Sequence, residues 1–183
     1  MISTQWHYFH WLEDTPEGWV KLNCDGVHKS SVSLSGCGGL LRDSNVNCLN
    51  NYARKIGSCD ALHVEMWGMY IGVDMARRQG ITHLQVESDS KVLVNMVTGK
   101  CNINGNVPTL IRRIHDLKNM SWQVQINHIW REGNRSANLL ANFSLSLNSF
   151  DLNVIEILPR ELRCLLFDDI SGACMPQNVH LIA

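Results

Sequence analysis

The stretch from Trp19 to Asp25 is a strand-like run that closes on an acid and Gly26. A Gly/Ser-rich segment, Ser30 to Gly36, leads into Cys37-Gly38-Gly39-Leu40-Leu41-Arg42. Asp43-Ser44-Asn45 then reads as a hairpin turn before a third strand, about Val46 to Arg54. From there the apolar period lengthens. Leu62, Met69, Val73 and Ala76 form a stripe at helical spacing, which predicts a helix from about Asp60 to Gln79, stopped by Gly80. A fourth strand, about His83 to Glu87, precedes a second helix, about Asp89 to Val97, closed by Gly99. Asn102 to Asn106 reads as a loop, and Pro108 falls in the first turn of a third helix, about Val107 to Leu117. In a fifth strand, about Trp122 to Trp130, Val124, Ile126 and His128 alternate with Gln125, Asn127 and Ile129. Glu132-Gly133-Asn134 turns the chain into a last helix, about Arg135 to Leu145.

Strands first, then helix–strand–helix–helix–strand–helix, predict an antiparallel meander joined to a parallel half. That is an α/β sheet flanked by helices. In such sheets ligands sit outside the carboxyl ends of the parallel strands. The predicted domain spans residues 19–146, with an N-terminal extension at 1–18 and a tail at 147–183 that carries a short strand and helix.

Three acids ask for an explanation within this frame. Asp25 and Asp89 fall at predicted strand ends, and Glu65 falls on the apolar stripe of the first helix. Burying even an unpaired neutral polar group costs about 2–7 kcal/mol, so a carboxylate there needs a partner. Acids converging from two strand ends and a helix face point to a metal ion. Each also has a plain local reading: Asp25-Gly26 as a turn pair, Asp89 as a helix cap, and Glu65 tilted to solvent at the stripe's edge.

Composition narrows the classes. The 183 residues suit one domain with a sizeable core plus a tail. No apolar run reaches the ~18 residues of a membrane span, and Met1 to Trp11 lacks the pattern of a signal peptide. Seven cysteines stand singly, without a Cys-x-x-Cys pair, which reads as free thiols in an intracellular, reducing compartment. The net charge of −1 is low for a nucleic-acid binder, so any such contact rests on local clusters. Arg77-Arg78, Arg112-Arg113 with Lys118, and Arg131 with Arg135 are the candidates. Trp67 and Trp130 are candidates for stacking on bases.

Several of these motifs, in this order, resemble a known family. Asp25-Gly26, Gly38-Gly39-Leu40-Leu41-Arg42-Asp43, Val64-Glu65, Glu87-Ser88-Asp89-Ser90 and Arg131-Glu132-Gly133-Asn134-Arg135-Ser136-Ala137-Asn138-Leu139-Leu140-Ala141 look like a ribonuclease H domain. More narrowly, they resemble the plant group related to the end of non-LTR retrotransposon reverse transcriptases. The resemblance covers about Trp19 to Leu145 and extends to Pro159–Gly172 in the tail.

It implies a five-stranded mixed sheet and metal-dependent endonucleolytic hydrolysis of the RNA strand of an RNA–DNA hybrid. It also implies two Mg²⁺ ions, with Mn²⁺ as a substitute, on carboxylates matching Asp25, Glu65 and Asp89 plus a fourth acid in the last helix. Two hard cations about 4 Å apart suit an in-line phosphodiester displacement. The fourth acid is missing here: the family's Ala-Asp-x-Leu-Ala is Ala137-Asn138-Leu139-Leu140-Ala141. Asn138 keeps an oxygen that can ligate but brings no charge. Weakened metal binding follows. The alternative is a transposon-derived domain without cleavage, kept for binding nucleic acid or a protein. His128, ten positions before Asn138, matches the family's proton-handling histidine and equally fits the apolar phase of the fifth strand. Arg131 is a second candidate for that place. Gly26, Arg131 and Asn134 are expected on the substrate side. The expected partner is an RNA–DNA hybrid, with no membrane, and the chain is expected to act as a monomer or as part of a longer polyprotein.

Overall fold

A strand that alternates Leu22 and Cys24 with Lys21, Asn23 and Asp25 must satisfy apolar neighbours on one side and polar ones on the other. The computed structural model, which describes residues 15–101, 105–157, 160, 161, 163 and 164, shows how both are met. Six strands form one sheet: β1 (Val20–Lys29), β2 (Leu34–Arg42), β3 (Cys48–Gly57), β4 (His83–Ser88), β5 (Gln123–His128) and β6 (Asn153–Val154). Their order is β5-β4-β1-β2-β3-β6. β1 pairs antiparallel with β2, and β2 with β3, while β1, β4 and β5 run parallel. The meander and the parallel half are therefore both present. The sixth strand, beyond the five expected, is a two-residue pairing of the tail with β3 at Tyr52 and Ala53.

The apolar face of the sheet carries Leu22, Cys24, Leu41, Leu84 and Val86. It packs against Val64, Met69, Val73 and Ala76 of α1 (Ala61–Arg78). Leu93 and Met96 of α2 (Lys91–Val97) and Ile111 and Ile114 of α3 (Thr109–Lys118) complete this core. On the other face a smaller cluster joins Leu40 to Ala137 and Leu140 of α4 (Arg135–Ser144). Beside it the sheet buries a polar layer. Lys21 Nζ meets Glu87 Oε1 at 2.9 Å, and the Asn23 amide donates to Glu87 Oε2 at 2.9 Å. Buried charges persist because each has a partner.

Several boundaries shift for identifiable reasons. β1 does not stop at Asp25: its ladder with β2 runs on through Gly26↔Cys37 to Lys29↔Leu34, so Asp25-Gly26 is not a turn. The hairpin before β3 is longer than expected, because the Asp43 carboxylate accepts from the amides of Asn45 and Asn47. Val46 closes it at φ +64°, a left-handed conformation that a strand excludes. α2 begins after Ser90, whose side chain caps it by accepting from the Leu93 amide; Asp89 is not the cap. Pro108 stands at the N-cap position of α3 rather than inside its first turn. The Asn102–Asn106 loop is described only from Gly105 on, and residues 1–14 of the expected extension lie outside the described residues. So does most of Pro159–Gly172, of which Arg160, Glu161, Arg163 and Cys164 are helical. Among the described residues no helix is long and apolar enough to cross a membrane. The six described cysteines are unpaired.

Candidate metal centre

Two glycines set the distance between the sheet and the helices that carry the site. A Cβ on Gly26 would lie 2.7 Å from the Glu65 nitrogen, so α1 seats its second turn directly on β1. A Cβ on Gly38 would lie 2.6 Å from the Leu140 carbonyl carbon, so α4 comes equally close to β2. These approaches bring Glu65 from α1 and Asn138 from α4 to Asp25. Asp89 reaches the same place from the residue just after β4. Ligand oxygens of Asp25, Glu65 and Asp89 all lie within 4.8 Å of one another.

The electrostatics of this cluster are unfavourable by themselves. Burial, followed by the Asp89 charge, raises the Asp25 carboxyl to about 6, against hydrogen bonds from Asn138 and the Gly26 amide. Burial, followed by Asp25 and then Asp89, raises Glu65 to about 9. Glu65 Oε2 is buried without a hydrogen-bond partner among the described residues. Cramped carboxylates with an orphaned oxygen are what a divalent cation would relieve, so the donor set fits a hard, oxygen-seeking metal.

The sign of the pH dependence follows. Both carboxyls titrate higher in the fold than in the unfolded chain. Their contribution to stability is therefore fully present below the unfolded values near 4 and is lost as pH rises through about 6 and then about 9. Without divalent metal, the thermal midpoint should fall by roughly 5–10 °C between pH 5 and pH 9, and added divalent cation should cancel most of that fall. A midpoint that stays level over this range in the absence of metal would remove the argument for strain in the cluster.

The other expected site residues divide into three kinds. Asn134 is only 1% exposed, and its amide donates both to Cys24 O and to Asp89 Oδ1, at 3.0 Å each. It ties the β1 backbone to an acid of the site and has no surface to offer a substrate. Asn138 turns its amide nitrogen to Asp25 Oδ2 at 2.8 Å, while its oxygen accepts from Asn142 at 3.3 Å. The carboxylate offers only acceptors, so the donor end of the amide faces it. To ligate a cation, Asn138 must turn its amide over, and Asn142, itself an amide, can answer either end. Asn142 was not singled out in the sequence; its i, i+4 spacing from Asn138 on one helix face is the signal that marks it.

His128, Arg131 and Gly26 make up the third kind. His128 ends β5 beside Ser88, stacks edge-on with Trp130 at 5.6 Å, and stands outside the close acid cluster. Arg131 is 81% exposed and its Nε lies 3.8 Å from Asp89 Oδ2. Such an ion pair adds little stability and leaves the guanidinium available to an incoming anion. Gly26 donates its amide to Asp25 Oδ1 at 2.8 Å.

Residues 23–144 match the family described as "Reverse transcriptase-like". Over 164 residues the chain is 33% identical to an Arabidopsis thaliana protein whose name assigns it, provisionally, to ribonuclease H. That match takes in 90% of this chain, which spans only 26% of the relative's length. Among solved structures, the N-terminal ribonuclease H domain of a Mycobacterium tuberculosis protein aligns with a TM-score of 0.64 at 23% identity, covering 69% of this chain and 93% of that one. Ribonuclease H1 from Halobacterium salinarum gives 0.63 at 21%, covering 69% and 97%. A further ribonuclease H1, solved in complex with an RNA/DNA hybrid, gives 0.61 at 21%, covering 69% and 96%. At these identities the structures establish the fold. With the family match over most of the domain, the chain belongs to the reverse transcriptase-like family and is a ribonuclease H-like domain.

Proposed function

We propose that this chain is a metal-dependent endonuclease that hydrolyses the RNA strand of RNA–DNA hybrids, with Mg²⁺ as its ion and Mn²⁺ as a substitute. The observation that carries the reading is the convergence of Asp25, Glu65 and Asp89 within 4.8 Å on a ribonuclease H-like fold. Bound there, two hard cations would activate the attacking water and offset charge on the leaving oxygen. Asp25, Glu65 and Asp89 would hold them, and Asn138, with its amide turned over, would add a neutral oxygen. Asn134 acts through Asp89, holding that carboxylate in place against the end of β1. His128, which ends β5 beside Ser88 at the same end of the sheet, would carry the proton of the attacking water. Arg131 presents an exposed guanidinium beside the acids, suited to a non-bridging phosphate oxygen.

One observation favours a second reading. The Asn138 amide already fills an acceptor on Asp25, as it would in a domain that has given up cleavage and kept only binding. An end-labelled RNA–DNA hybrid incubated with the protein and rising Mg²⁺, then rising Mn²⁺, decides between them. Cleavage of the RNA strand alone, dependent on metal, is the expected result. Intact RNA at every metal concentration, with retained hybrid binding, would establish the second reading.

A further inference from the structure

The flank of α1 that faces away from Glu65 borders a second pocket, which the acid cluster does not use. His63 and Trp67 are one helical turn apart, and Glu65 lies about 200° round the helix from His63. The pocket has a volume of about 270 Å³, and Arg54, Lys55, Ser58, His63, Trp67 and Phe150 are among its walls. Among the described residues no carboxylate lines it. On a chain of net charge −1, two adjacent cations in a pocket with no carboxylate among its described walls are a local feature, not an overflow of a basic protein.

These cations are held by aromatic rings. The Arg54 guanidinium lies 5.0 Å from the Trp67 ring, and its Nε donates to Phe150 O at 3.1 Å. Lys55 Nζ lies 5.8 Å from the Phe150 ring. Among the described residues neither pairs with a carboxylate, and both side chains are half-buried. Asp60, the acid nearest in sequence, has one oxygen engaged by the His63 amide at 2.7 Å. Register places the pocket near the acids: Gly26 pairs with Cys37 and Cys37 with Arg54. Two strand spacings, roughly 10 Å, therefore separate the backbones of Gly26 and Arg54.

Donors for an anion beside a Phe150 ring that is 56% exposed and a half-buried Trp67 suit one chemical class, a nucleotide whose base is free to stack. Bases inside a duplex have both faces taken. A cavity of this size falls just below the ~300–1,000 Å³ of ordinary ligand pockets, so it has room for one such unit and not for a duplex. We infer that this pocket binds an unpaired nucleotide of a nucleic-acid strand, its phosphate on Arg54 and Lys55 and its base against Trp67 or Phe150. It anchors single-stranded nucleic acid beside the acid site. The inference extends the nucleic-acid reading above without resting on cleavage.

The test is fluorescence anisotropy of a labelled oligothymidylate of about twelve nucleotides, within the span such sites cover, in EDTA and at several salt concentrations. The double variant Arg54→Gln/Lys55→Gln should bind about tenfold or more weakly, and its log–log salt slope should flatten by about 1.4, two single-strand contacts at ~0.7 each. Trp67→Leu should lose about 5- to 100-fold in affinity, the worth of one stacked base, with the salt slope unchanged. The same charge change at the far end of α1, Arg77→Gln/Arg78→Gln, should cost far less. Circular dichroism checks that each variant is folded. Because no metal is present, an inactive acid site leaves the measurement untouched. The inference is overturned if the parent does not bind the oligonucleotide, if both double variants lose affinity equally, or if a blunt duplex competes as well as the single strand.

Discussion

Replacing Asp25 by asparagine is expected to lower hybrid cleavage by more than about 100-fold while raising the thermal midpoint of the metal-free protein. The loss exceeds the 10- to 100-fold that follows from removing a group that merely supports a metal ligand. Asp25 is the most buried of the three acids, at 3% exposure, and accepts from the Gly26 amide on its own strand and from Asn138 of α4. With Asn138 already neutral, the variant leaves Glu65 and Asp89 as the sole charged ligands. The gain in stability has the opposite cause. Asp25 repels Glu65 and Asp89 and is itself desolvated, so a neutral isostere relieves the cluster when no cation is there to do so. Opposite signs separate this outcome from simple misfolding, which would lower both quantities. Equal cleavage by variant and parent, measured on a labelled hybrid, would show that the assigned chemistry is wrong.

Asn138→Asp should move activity and stability the other way. It returns a fourth negative charge at a position now 2.8 Å from Asp25 Oδ2 and removes the amide hydrogen bond between them. Two like charges about 4 Å apart interact by about 4 kcal/mol at the effective dielectric near a protein surface, so the metal-free variant should melt several degrees lower. The same charge strengthens attraction for a divalent cation. The metal concentration for half-maximal cleavage should fall by about tenfold or more, the equivalent of ~1.4 kcal/mol. Mn²⁺ should outperform Mg²⁺ in the parent and lose most of that advantage in the variant, because it is less exacting in geometry and binds nitrogen- and oxygen-containing sites more tightly. A metal titration of cleavage, paired with melting curves in EDTA, reads both effects. If the variant needs as much metal as the parent, Asn138 does not belong to the metal shell.

By itself the sequence determined the order of the elements and the identity of the three acids. Periodicity is a local property, and it placed α1, α4 and the meander to within a few residues. The Asp89 and Glu65 positions were legible because a carboxylate on an apolar stripe or after a parallel strand stands out against its neighbours. The tertiary structure decided what depends on partners distant in the chain. β1 continues past Gly26 because β2 supplies its ladder, a pairing that no pattern in Trp19–Asp25 contains. Asp89 is left free for the site because Ser90 caps α2, a choice between adjacent residues that propensity does not separate. Asn134, read beforehand as facing substrate, is buried because α4 starts against the end of β1. The donor end of Asn138 faces Asp25 because Gly38 lets α4 settle closely on β2, and a carboxylate can only accept. The pocket between Arg54, Trp67 and Phe150 joins a strand, a helix and the segment after α4, residues up to 96 positions apart, so only the packed sheet edge could assemble it.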